Sequence, residues 1–191
     1  MGLRRGFKKE AEATAEEVRT ELGLQSMDRL DPMVLAESLC IKVVSLASLG
    51  DEAAGAVAYF TTSDPGAFSA ATVFDGNRRL IVHNDDHAPG RQASNISHEL
   101  AHGLLLHKPT PALDDRGCRL WDPVVEEEAD WLAGCLLIPA AAALEAARRG
   151  LSVAELAAHF GVSEKMADYR LNITGARVIA LRSQRYRATR S

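Results

Sequence analysis

Apolar residues recur at helical spacing through much of the second half of the chain. Ile96, Leu100, Ala101, Leu104 and Leu105 fall three to five positions apart or adjacent, the pattern of a helix with one buried side. Asp122-Pro123 supplies an N-cap and a first helical residue, and Pro139 marks the other end, so a second helix is predicted over 123–138. A third runs from beyond Pro139 to Arg149 and stops at Gly150. Ser152 and Glu155 have the spacing of a capping box. They introduce helix, a Gly161-Val162-Ser163 turn, and helix again through Leu171, a helix-turn-helix-like pattern. Upstream, Lys8 to Leu22 has helical composition and ends at Gly23; its sparse apolar positions predict light packing. Asp31-Pro32 opens a short helix through Leu39. Strands are predicted at Ile41–Leu46, Gly55–Phe60, Phe68–Phe74 and Arg79–His83, with Asp75-Gly76-Asn77 as a hairpin turn. His83 to Gly90 holds two histidines and two aspartates, but Asn, Asp, Pro and Gly are turn residues, and a connection is the better reading.

Composition narrows this picture. The 191 residues, 47% hydrophobic and 25% charged, suit one sizeable core or two small ones in an ordinary soluble protein. No apolar run approaches the ~20 residues of a membrane span. The basic N-terminus is followed by no apolar stretch and does not read as a secretion signal. Cys40, Cys118 and Cys135 show no CxxC spacing and read as reduced thiols of a cytoplasmic protein. Residues 148–191 hold nine Lys or Arg against three Asp or Glu, while the remainder holds 13 against 23. That asymmetry favours an anionic partner. However, Glu164 and Asp168 on the would-be recognition helix would repel phosphate, and most of the basic excess lies in the last fifteen residues, expected to be a flexible tail. DNA contact is therefore open but not favoured.

Chemistry concentrates in His98-Glu99-Leu100-Ala101-His102. On a helix the two histidines lie one turn apart on one face and can hold one Zn²⁺ at roughly 2.0–2.1 Å each. Glu99 sits about 100° round the helix, where it can reach a water on the metal. Such a site needs a third ligand. Glu126 can supply it, with Asp130 one turn on and able to accept the free N–H of a ligand histidine. Glu127 and Glu128 compete for the ligand role; their plainer reading is an acidic first turn suited to the helix dipole. His107 reads as a cation closing the first helix, and His159 as a half-exposed packing residue. Tyr169, Arg170, His159 and Arg91 are each chemically able to steady a developing oxyanion.

His98-Glu-Leu-Ala-His-Gly-Leu-Leu-Leu-His107, followed by Glu126-Glu-Glu-Ala-Asp-Trp-Leu-Ala-Gly-Cys-Leu-Leu-Ile-Pro139, resembles the ImmA/IrrE family of zinc metallo-endopeptidases. In that family an HELGH-like helix precedes a helix of the form E-x-E-A-N-x-F-A-A-x-L-L-M-P. This chain has Asp130 for the usual Asn, Trp131-Leu132 for an apolar-Phe pair, and Gly134-Cys135 where Ala-Glu is common. The resemblance, covering roughly residues 90–175, implies that His98, His102 and Glu126 bind zinc and that Glu99 is the catalytic base, a gluzincin-like set. The expected fold is α+β: the predicted strands form a small antiparallel sheet packed on a zincin-like pair of metal-binding helices, followed by a helix-turn-helix-like segment that also fits the resemblance. The expected division is an N-terminal helical extension (1–30), a zinc peptidase domain (31–139), a helical segment packed on it (140–176) and a basic tail (177–191). The implied substrate is a separately encoded helix-turn-helix repressor, cleaved under DNA damage or stress. The alternative is a DNA- or partner-binding regulator that keeps the scaffold as a sensor.

Overall fold

The computed structural model describes residues 2–64, 66–76, 78–108 and 122–188. Its helices and strands follow in the order α1 (Phe7–Glu21), α2 (Pro32–Ser38), β1 (Lys42–Ser45), α3 (Ala54–Ala58), β2 (Ala70–Asp75), β3 (Arg78–His83), α4 (Pro89–Leu104), α5 (Pro123–Leu137), α6 (Ala140–Arg149), α7 (Val153–Phe160), α8 (Glu164–Ile173) and α9 (Ala176–Ala188). The fold is mixed α and β, with one three-stranded sheet. No single helix among the described residues is long and apolar enough to cross a membrane.

Local chemistry explains many of the helix ends. Asp31 accepts from Met33 N–H, Asp122 from Val124 and Val125 N–H, and Ser163 from Met166 N–H. Ser152 and Glu155 form the expected capping box. Gly150 and Gly161 close α6 and α7 with φ of 73° and 66°, the left-handed conformation that glycine adopts without a Cβ clash.

The sheet departs from expectation in two ways. Its order is β1-β3-β2; β2 and β3 form the antiparallel hairpin, but β1 pairs with β3 in parallel, Val43 opposite Ile81. The sheet is therefore mixed rather than antiparallel. Residues 55–60 are not a strand: α3 runs into a π-helical turn at Tyr59–Ser63. Ala53, Ala54, Ala56 and Ala58 explain this, since alanine is the best helix former and gains little in a sheet.

Two apolar clusters hold the layers together. The first joins α1, α2, β3, α4 and α5 through Phe7, Leu35, Ile81, Leu100 and Leu132, all fully buried. The second joins the end of α5 to α6–α9 through Ile138, Ala143, Leu156, Phe160 and Leu171. Here α1 corrects the expectation of light packing. Phe7, Ala11, Ala15 and Val18 form a continuous buried face against α5. Two alanines at that spacing let the helices approach closely, so small side chains are a contact surface rather than a lack of one. Residues 177–188, expected as part of a flexible tail over 177–191, belong to α9, which packs on α6 and buries Ala180.

Candidate metal centre

α4 and α5 pack against each other in the first cluster, which brings two distant pieces of sequence together. Leu100 and Ala101 anchor the buried face of α4, and Ala129, Leu132 and Ala133 that of α5. The neighbouring faces carry the polar residues. His98 Nε2 and His102 Nε2 lie 3.0 Å apart, and Glu126 Oε2 lies 3.2 Å from the first and 3.9 Å from the second. These three side chains offer ligand atoms all within 4.8 Å of one another. Two donors about 2.05 Å from a tetrahedral ion would sit roughly 3.3 Å apart, so the observed separations fit a single cation. Of the three competing acids, only Glu126 joins the histidines; Glu128 is turned to Arg4 and His107 instead.

The surroundings prepare the imidazoles. Asp130 Oδ1 accepts from His98 Nδ1 at 2.8 Å, leaving His98 Nε2 for the shared point. Burial works to lower the His98 pKa, but Asp130 through its hydrogen bond and charge, with Glu99 and Glu126, leaves it above the usual histidine value. His102 goes the other way. Burial, then the neighbouring His98 and His107, depress it to about 4, so it is neutral at pH 7 with a lone pair to offer. Glu126 is raised, chiefly by burial, with Glu99 and Asp130 adding to the effect. Three carboxylates thus crowd two imidazoles, an arrangement that a cation relieves.

Glu99 points to the sheet side of the same space. Its Oε2 accepts from the Thr72 hydroxyl at 2.6 Å, which ties it to β2. Among the described residues β2 pairs only with β3, and no other strand meets its second edge. Ser69 to Thr72 and Phe74 border a cleft of about 1150 Å³ that also contains His98, His102 and Glu126. Of the four oxyanion candidates, Tyr169 and Arg91 line this cleft. Arg170 is fully buried, donating to Ile138 O and Glu12, and His159 bonds Met27 O.

A family model supplies the wider context. Residues 49–172, about two thirds of the chain, match the Peptidase_M78 model, described as the IrrE N-terminal-like domain. The chain belongs to this peptidase family. The match takes in α3 through nearly all of α8 with every candidate site residue, and leaves α1, α2, β1 and α9 outside it. The match supports peptidase and metal-binding character at family level, and His98, His102 and Glu126 form a group that could hold a metal. No curated protein matches the sequence.

The sequence does not single out Thr72, and it predicts His107 only as a cation closing α4, not as a residue that meets His102. Thr72 lies in a strand, where Thr is ordinary, and no spacing relates it to Glu99. His107 lies five residues beyond His102, a separation that helical geometry does not place on one face. Cys118, with most of the stretch between α4 and α5, lies outside the described residues.

Proposed function

We propose that this protein is a zinc-dependent endopeptidase that cleaves an extended segment of another protein. The observation that carries this is the convergence of His98, His102 and Glu126 beside Glu99, in a cleft lined by residues of β2, a strand whose second edge pairs with no other strand among the described residues. Two histidines and one carboxylate form an open donor set suited to zinc, which when bound would supply Lewis acidity toward a carbonyl and lower the pKa of water. The chain's own residues do the rest. β2 offers backbone N–H and C=O groups with which a substrate strand can pair, placing its scissile bond over the histidines. Thr72 holds Glu99 Oε2, and the carboxylate takes a proton from the attacking water and passes it to the leaving amine. Tyr169 or Arg91, at the cleft wall, would face the developing oxyanion.

A strand-binding cleft favours substrates with a flexible, exposed linker. A separately encoded helix-turn-helix repressor, cleaved in the cytoplasm during stress, is such a substrate. The DNA-binding alternative gains little support. α8 turns Lys165, Met166 and Tyr169 to the cleft, and Arg177 is engaged by Asp168 and Asn172. The test pairs metal content with cleavage. Glu126→Ala should purify with far less than one zinc per chain, and Glu99→Gln should keep zinc while losing at least ~10²-fold of turnover on a peptide library. Full zinc in the first variant rejects the ligand set; undiminished cleavage by the second rejects the base.

A further inference from the structure

α4 ends in an uncommon way. Leu106 N–H bonds Gly103 O at 3.1 Å and His107 N–H bonds His102 O at 3.0 Å, the paired bonds of a Schellman turn. The residue at its left-handed position is ordinarily glycine; here it is Leu106, with φ 54° and a side chain 80% exposed. Burial of Leu106 does not compensate for that conformation. What the turn achieves is the placement of His107, because a Schellman turn brings the residue after its left-handed position back over the residue five before it.

That earlier residue is His102. The two rings meet edge to face with centroids 5.0 Å apart, and their Nδ1 atoms are 2.9 Å apart. The far side of His107 continues the contact: Nε2 lies 3.4 Å from Glu128 Oε2, the longest link in the series. Glu128 Oε1 then accepts from Arg4 Nε at 3.1 Å, and the Arg4 guanidinium also pairs with Glu10. His107 and Glu128 are largely buried, each with 11% of its side chain exposed.

Protons can be arranged along this series in one consistent way. A ligand nitrogen must present a lone pair, so His102 Nε2 carries no proton and its Nδ1 does. That proton is donated to His107 Nδ1, which must then be bare. His107 accordingly carries its proton on Nε2, facing a carboxylate that accepts it. The opposite tautomer of His107 would set two N–H groups against each other and a lone pair against Glu128.

We propose that His107, Glu128 and Arg4 are positioning residues that hold His102 in the tautomer and ring orientation required of a metal ligand. The proposal rests on the reading of His102 as a ligand. It also assigns a role to the N-terminal segment, since Arg4 lies outside the matched family domain yet braces the site within it.

The test uses the full chain, with Zn²⁺ affinity measured by chelator competition and Co²⁺ as a spectroscopic probe. His107→Leu should weaken zinc roughly 10–100-fold and alter the Co²⁺ d–d bands. His107→Gln should restore most of the affinity, because its amide oxygen can accept from His102 and its NH₂ can donate to Glu128. Arg4→Ala should cost less than tenfold, and the control Glu127→Gln nothing. A folded His107→Leu with wild-type affinity overturns the proposal; if His102→Ala still loses zinc, the ligand reading survives. Wild-type affinity in His102→Ala overturns both. Should His107→Leu fail to fold, ¹⁵N–¹H spectra of the zinc-loaded wild type decide the matter. Nδ1–H on His102 with Nε2–H on His107 supports the arrangement, and Nδ1–H on His107 rejects it.

Discussion

Gly90 and Gly103 lie in the same helix, and the two should respond oppositely to alanine. By helix propensity alone, each Gly→Ala change should stabilise by up to about 1 kcal/mol. At Gly90 the structure opposes this. An added Cβ would lie 2.6 Å from Val162 C, 2.7 Å from Ser163 N and 3.1 Å from Val162 Cα. Carbon contacts are comfortable at about 3.5–4.0 Å, so α4 and the α7–α8 turn would have to part by close to an ångström. That turn has little freedom to yield. Val162 N–H bonds Ala157 O at 3.0 Å, Gly161 is left-handed, and Ser163 caps α8. Overpacking of this kind costs roughly 1–3 kcal/mol, so a net loss of about 1–2 kcal/mol is expected once propensity is offset. For a chain of this size that corresponds to a melting temperature lower by about 2–8 °C. At Gly103 the Cβ would meet only the end of a flexible side chain, Arg79 Nη1 at 2.7 Å, with nothing else nearer than 4.0 Å. The arginine can swing aside, and Gly103→Ala should be neutral or slightly stabilising. Urea unfolding of both variants, with midpoint and slope fitted together, separates stability from changes in the unfolded state. A Gly90→Ala protein as stable as wild type would refute the close approach of α4 to this turn. Equal losses in both variants would refute the distinction between a rigid and a flexible neighbour.

Three further outcomes are expected. Asp130→Ala should weaken zinc roughly 10–100-fold by removing the acceptor behind His98, while Asp130→Asn keeps an acceptor and should lose less than about tenfold. The Asn variant also removes the charge that raises His98, so the imidazole loses its proton at lower pH and metal binding should extend further into acid. Glu12→Ala should cost about 3 kcal/mol in urea unfolding, because it leaves the fully buried Arg170 without its carboxylate and Ala140 N–H without its acceptor. Native alkylation followed by peptide mapping should label the exposed Cys40 and spare Cys135, whose burial pushes its thiol up to about 12 and so keeps it protonated; labelling of native Cys135 at pH 8 would contradict its packing.

Much of this molecule was legible because short stretches carry their own instructions. The Asp-Pro starts at residues 31 and 122, the Ser152–Glu155 box and the stops at Gly150 and Gly161 each act within one helical turn, and each marks a helix boundary in the structure. The β2–β3 hairpin was equally local. Misreadings arose where local preference and context diverged. Apolar residues at 55–60 suggested a strand, yet the alanines among them favour a helix. The alanine face of α1 looked too weak to pack because its worth depends on how closely α5 can approach.

The candidate site divides along the same line. The one-turn spacing of His98 and His102 and the acidic run at 126–128 are properties of the chain itself, since helix geometry sets them wherever the helices lie. Which of those acids meets the histidines is a different matter. It depends on the rotation of α5 against α4, and the apolar core sets that rotation through Ala129, Leu132 and Ala133. The same packing leaves Glu128 facing Arg4 and His107. Thr72 reaches Glu99 across a sheet-to-helix contact, and Leu106 turns His107 back without the glycine that would have announced the turn. Periodicity acts over four or five residues, whereas these pairings join residues up to 124 apart in the chain, and only burial of a shared core brings such residues together.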